Sequence, residues 1–163
     1  MTINKRIILL MTVLLICVSC DQGTKSIAES YLPKTEVWSF WGDTVRLQLA
    51  HNSGAFLSLG AALPDAWRAG LFSAGVALLL IVLMGYILFS KSLSSLEIIA
   101  LTLMLAGGVG NLIDRMLFGY VVDFMNIGVG ALRTGVFNVA DMAVSAGVLL
   151  LFADMVKPAA TSD

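Results

Sequence analysis

The stretch Gly119–Asp141, GYVVDFMNIGVGALRTGVFNVAD, carries two aspartates, Asp123 and Asp141, in otherwise apolar surroundings. Each adjoins a segment apolar enough to lie in or at a lipid bilayer. An ionisable side chain is costly there and marks a functional site by default. Two carboxylates brought together supply one acid, one base and a place for water between them. Repulsion and poor solvation should raise one of the two pKa values, so that the pair shares a proton. The ionised partner then activates water against a peptide carbonyl while the protonated one donates to the carbonyl oxygen. That is aspartic-peptidase chemistry, with Asn111, Asn138 and Arg115 available to orient or neutralise the pair. A competing reading has Asp123 or Asp141 locked to Arg115 in a buried ion pair.

The elements that must position these groups read as membrane spans. Of 163 residues, 58% are hydrophobic and 13% charged, with a mean hydropathy of +0.91. A water-soluble domain needs more charge to cover its surface, so the fold class is a polytopic all-α membrane protein. The net charge of −1 gives no electrostatic case for a nucleic-acid partner. Apolar runs predict spans over residues 7–26, 66–89, 96–113 and 135–156 of one integral-membrane domain, 1–163. Ala106-Gly107-Gly108-Val109-Gly110 is rich in residues that let helices approach closely. Asn111, Asp114 and Arg115 follow within about one turn, more polarity than packing requires. Asn138 and Asp141 are three apart in the first turns of the fourth span, hence on one face. Asp141 is then about 5 residues, or roughly 7–8 Å, into that span.

Lys5 and Arg6 before the run Ile7–Cys20 resemble the start of a secretory or lipoprotein signal peptide. Cys17 stands three before Cys20, where a lipoprotein cleavage site favours Leu, and three more apolar segments follow. The run is therefore read as a retained first helix. Cys17 and Cys20 have no further ligands nearby and read as small apolar fillers, not as a metal or redox site. Asp21 and Lys25 are four apart and share a helix face. Local chemistry favours a helix-end salt bridge over a contact to substrate or a lid.

Residues 28–65 form the longest non-spanning region, with Trp38 and Trp41 suited to headgroup depth. Val45–Leu49 alternates apolar and polar like a half-exposed strand. Asn52-Ser53-Gly54 reads as a turn and Ala55–Leu59 as a second strand. Asn52 is either a turn residue or a polar contact for substrate backbone. His51 is the only histidine, which argues against a His-ligated metal or a Ser-His-Asp triad. Lys5, Arg6, Lys91 and Lys157 fall at short loops and ends on one side, so both termini are placed in the cytoplasm. Asp21, the surface sheet, Asp114, Asp123 and Asp141 then collect at the outer face.

In order along the chain stand Asp21-Gln22-Gly23-Thr24-Lys25, Asn52-Ser53-Gly54-Ala55-Phe56, Gly107-Gly108-Val109-Gly110-Asn111-Leu112-Ile113-Asp114-Arg115, Val121-Val122-Asp123-Phe124 and Phe137-Asn138-Val139-Ala140-Asp141. With these five motifs the sequence resembles the lipoprotein signal peptidases, the bacterial type II signal peptidases, over essentially its whole length. The resemblance implies four transmembrane helices, a small periplasmic sheet and an interfacial helix near the site. It implies an inner-membrane aspartic endopeptidase acting on diacylated prolipoproteins. Such an enzyme cuts just before the lipidated lipobox cysteine, contacts membrane lipid, needs no metal or cofactor and is inhibited by globomycin. Asp123 and Asp141 become the catalytic pair, and Asp21, Asn52, Gly54, Asn111, Arg115 and Asn138 substrate-binding or pair-supporting positions. Asp114 and Lys25 are set apart as structural candidates. The local readings of Asp21 and Asn52 are thereby reversed.

Two rival classes make different demands. A transporter or channel subunit needs acids spread through the membrane depth or helices broken at mid-span, whereas here the acids cluster at one face and Asp154 lies at the far end. A non-catalytic lipid-binding or assembly protein would keep its activity with both aspartates replaced.

Overall fold

The computed structural model describes residues 1–53 and 65–156, with the side chains of 65–69, 71 and 72 left outside the description. Gly54, the expected strand Ala55–Leu59 and the Lys157-Pro158 stop therefore lie outside the described residues. Four helices are present among those described: α1 (Ile3–Tyr31), α2 (Asp65–Phe89), α3 (Ser95–Phe118) and α4 (Val139–Met155).

Three helix boundaries differ from the expected spans, each for a local reason. α1 continues past Ser26 to Tyr31, stopping where Leu32 turns extended (ψ 135°). Pro33 follows, and a proline excludes the α conformation from the residue before it. α3 opens on a capping box in which Ser94 and Glu97 exchange hydrogen bonds, and it runs through Asp114 and Arg115 to Gly119. Gly119 closes the helix at φ 80°, the left-handed region where glycine costs least. α4 begins at Val139, not Gly135, because Phe137 is bridged to Met125 in an extended segment. Asn138 is its N-cap, so Asp141 sits in the first turn and not 7–8 Å into a span.

α3 packs against α1, α2 and α4. Leu10, Leu80, Ile87, Ile98 and Leu105 form a buried apolar cluster between α1, α2 and α3. The approach of α3 to α4 requires Gly107: a Cβ there would lie 2.3 Å from the Ala140 carbonyl oxygen. Outward faces stay apolar, with Ile8 and Leu15 of α1, Leu79 and Val82 of α2, and Leu149 and Phe152 of α4 all exposed. Such contiguous surface suits lipid, not water. Among the described residues α1 and α3 are each long and apolar enough to cross a membrane. α4, at 17 residues, measures about 25 Å against a hydrocarbon core of about 30 Å.

The sheet is antiparallel, in the order β1 (Trp38–Phe40), β2 (Val45–Asn52), β3 (Val121–Val129), β4 (Leu132–Arg133). β2 therefore runs beyond Leu49 as far as Asn52, the first residue of the expected turn, which pairs with Val121. The sheet expected within residues 28–65 draws half its strands from the segment after α3 instead. Ala28, Leu32 and Phe124 seat it on the end of α1. The interfacial helix implied by the family resemblance is not among the described residues.

Candidate active site

Asp123 lies on β3 and Asp141 in the first turn of α4, and Asn138 bonds both. Its backbone N–H donates to Asp141 Oδ2 at 3.1 Å while its side-chain Nδ2 donates to Asp123 Oδ1 at 2.7 Å. The first bond belongs to the capping box of α4, whose other half is the Asp141 N–H donating to Asn138 Oδ1 at 2.9 Å. Ordinary helix-starting chemistry thus fixes one carboxylate and aims an amide at the other. Asn52, at the end of β2, donates from Nδ2 to Asp123 Oδ2 at 3.1 Å. Asn111 of α3 donates from Nδ2 to Asp141 Oδ1 at 2.9 Å. Every carboxylate oxygen of the pair accepts one bond and keeps capacity for another. Burial pushes the Asp123 carboxyl above its ordinary value, and the charge of Asp141 adds to the rise. The Asn52 and Asn138 amides and Lys25 oppose it.

The direction of these amides is set by a buried cation. Lys25 Nζ donates to Asn111 Oδ1 at 3.0 Å. An ammonium only donates, so it selects the orientation that turns Asn111 Nδ2 toward Asp141. Asn138 Nδ2 also reaches Asn111 Oδ1, at 3.1 Å, and closes the network. Lys25 itself is held by Asp21 at 2.8 Å and Asp114 at 2.9 Å, all three side chains being nearly inaccessible. Asp21 Oδ1 accepts the Ala140 N–H at 2.8 Å, placing an anion at the N-terminus of α4 where the helix dipole favours it. Gly110 makes room for this, since a Cβ there would lie 2.5 Å from Asp21 Oδ2. Asp114 accepts the Val122 N–H at 3.1 Å and Gln22 Nε2 at 2.8 Å, tying β3 to α3 and α1 one residue before Asp123.

Of the positions singled out in the sequence, Asp21, Lys25, Asn52, Asn111, Asp114, Asp123, Asn138 and Asp141 meet in this network. Gly54 lies outside the described residues. Arg115 does not join: among the described residues its guanidinium bonds only the Asn111 carbonyl one turn back, at 3.4 Å, and pairs with no carboxylate. The buried ion pair of Arg115 with Asp123 or Asp141 is therefore not what the structure contains. Gln22 was missed, although its place one residue after Asp21 in a polar turn was a signal. His51 pairs with Glu29 at 2.6 Å and stacks on Tyr120, away from the carboxylates. No three His, Cys, Asp or Glu among the described residues are grouped to hold a metal. Asp141 lines an apolar cavity of about 490 Å³ with Met125, Ile127, Phe137 and Met142. Two carboxylates with fixed donors beside an apolar recess can bind an extended apolar segment and deliver water to it.

Comparison with known proteins identifies the family. Residues 13–157 match the family described as Signal peptidase (SPase) II. The chain is similar to the lipoprotein signal peptidase of Syntrophus aciditrophicus (strain SB), 36% identical over 138 residues, covering 84% of this chain and 85% of that one. It is similar also to that of Sulfurihydrogenibium sp. (strain YO3AOP1), 31% identical over 148 residues, covering 90% of each. A solved structure described as a bacterial membrane enzyme, obtained by the in meso method at 1.9 Å, superposes with a TM-score of 0.76 at 24% identity, over 96% of this chain and 95% of that one. A second such structure, at 2.3 Å, gives a TM-score of 0.73 at 23% identity, over 98% and 94%. At those identities the two structures speak for the fold alone. With the family matched over most of its length and relatives above 30% identity covering more than four fifths of it, the chain belongs to the signal peptidase II family.

Proposed function

We propose that this chain is an intramembrane aspartic endopeptidase that removes the signal peptide from diacylglyceryl-modified prolipoproteins, cutting just before the lipidated cysteine. Family membership supports the substrate class. The observation that carries the mechanism is that one residue, Asn138, bonds both Asp123 and Asp141. Asp123, whose carboxyl burial shifts toward its protonated form, is the partner that donates to the scissile carbonyl oxygen. Asp141 takes a proton from water as its oxygen attacks the carbonyl carbon. Collapse of the tetrahedral intermediate breaks the C–N bond, and the proton passes to the leaving amine. Asn52, Asn111 and Asn138 hold the pair in register, Asp21 and Lys25 hold Asn111 and α4 in place, and Asp114 positions the strand that carries Asp123. Gly54 and Arg115 remain assigned to the substrate side.

In this reading the whole chain is one domain with four spans in the bacterial inner membrane, both termini cytoplasmic and the pair at the outer face. The acyl chains lie in bilayer beside the helices, where each buried methylene contributes about 0.8 kcal/mol. The test is incubation of the purified protein with a diacylated prolipoprotein, with and without globomycin, and with the unlipidated precursor. Globomycin-sensitive cleavage of the lipidated form is expected, with the unlipidated form cut far more slowly. Absence of cleavage overturns the reading, and equal rates remove lipid recognition from it. For topology, Thr44→Cys and Ser94→Cys are labelled from outside in a chain lacking Cys17 and Cys20. Only position 44 should react.

A further inference from the structure

The end of the bundle opposite the carboxylate pair holds a second buried charge that this chemistry does not use. Arg6 of α1 is only 5% exposed. Its Nη1 donates to the carbonyl oxygens at the end of α2: Ile87 at 2.9 Å, Leu88 at 3.4 Å, and Ser90. Among the described residues no carboxylate pairs with it. The helix end supplies only about half an elementary charge of compensation, while a guanidinium stays fully charged. Among the described residues Nε is enclosed without a partner, and no hydrogen bond of Arg6 engages Nη2.

Beside Arg6 opens a cavity of about 290 Å³, lined by Met1, Ile3, Phe89, Ser90 and Lys91 as well as Arg6. Lys91 and the neighbouring Lys5 are exposed, so among the described residues this end of the bundle gathers cations beyond Arg6. Glu97, the acid nearest in sequence to Lys91, is committed to the Ser94 backbone N–H at 2.7 Å. The rim is apolar, with Ile3 and Phe89 exposed, and it continues into the outward apolar faces of α1 and α2. The cavity therefore sits where an apolar belt ends and basic side chains begin.

We propose that this cavity is an anion site that takes a phosphate group, with Arg6 Nη2 and Lys91 Nζ as donors and the apolar rim against whatever carries the phosphate. Basic pockets between helices at a membrane face are suited to anionic headgroups, and free phosphate offers the same chemistry without the apolar part. The site is independent of the peptidase reading, and so is its test.

The full chain in neutral detergent is titrated with phosphatidylglycerol, phosphatidylcholine or inorganic phosphate, following the unfolding temperature and the lipid retained in native mass spectrometry. Phosphatidylglycerol should raise the unfolding temperature saturably with one lipid retained, and phosphatidylcholine should not. Lys91→Gln, an exposed loop change that leaves folding intact, should weaken this binding roughly fivefold. Arg6→Lys, which keeps charge but loses the planar fork, should weaken it as well. Saturable stabilisation by inorganic phosphate at the same concentrations assigns the site to the free ion. Equal stabilisation by both lipids, or binding that survives Lys91→Gln undiminished, overturns the proposal.

Discussion

α1 buries a cation near each end, and the two ends treat it in opposite ways. Lys25 is met by two carboxylates and an amide oxygen, all side chains held at 2.8–3.0 Å by α1 and α3. Arg6 is met by backbone carbonyls at the end of α2. Any helix that stops there would offer such carbonyls, whatever its sequence. The Lys25 partners are specific, and one of them, Asn111, leads on to Asp141. A buried ion cluster is poor evidence of stability, because desolvation consumes most of its Coulombic gain. Here its effect is positional: it decides which way an amide faces. At the Arg6 end the neighbouring cluster of Leu10, Ile87 and Ile98 supplies the packing.

The largest effect should come from breaking the Lys25 end at its chemistry. Asp123→Asn or Asp141→Asn should lower turnover by about 10²–10⁴-fold, and the double variant should be scarcely worse, because the pair acts as a unit. Cleavage per mole of folded, membrane-inserted protein is the measurement, and substantial turnover by either single variant would sink the mechanism. Next in size is the contrast between the two cations. Lys25→Met leaves Asp21 and Asp114 buried without a counter-ion and should cost about 3–5 kcal/mol, against about 1–2 kcal/mol for Arg6→Gln, which removes a helix-end cation. Denaturant unfolding in micelles reads both, and equal losses would erase the distinction drawn here.

The smallest effect sharpens the comparison by pH. The Asp123 carboxyl is raised in the folded state above its ordinary 3.8. Folding therefore favours its protonated form, and the stability this group contributes is full below 3.8 and declines as pH rises through the higher folded value. Asp123→Asn should become progressively more stable relative to the parent over that window. Arg6→Gln should show a flat difference, because a guanidinium does not titrate there. Unfolding temperatures of all three proteins across pH 3.8 and upward decide it.

Much of the site was legible in the sequence because its residues stand in local patterns. Asp21 and Lys25 are four apart and do pair, at 2.8 Å. Asn138 and Asp141 are three apart and do bond, though as a capping box that starts α4 later than its apolar run suggests. Hydropathy cannot distinguish an apolar extended segment from an apolar helix, and Gly135–Phe137 was lost to that ambiguity. What spacing could not supply is contact across the chain. Lys25 meets Asp114, and β2 pairs with β3, through tertiary packing alone. The same limit left the alternative ion pair of Arg115 open in the sequence, and among the described residues Arg115 bonds the Asn111 carbonyl instead of a carboxylate.

The bond from the Ala140 N–H to Asp21 joins α4 to α1, across 119 residues of chain. During synthesis at about 5–20 residues per second, Asp21 is made many seconds before its partner exists. The helix that delivers that partner also delivers Asp141, so anchoring and chemistry arrive in one event. On the proposed mechanism a nascent chain is therefore inactive until α4 docks, and a chain truncated before α4 should show no cleavage.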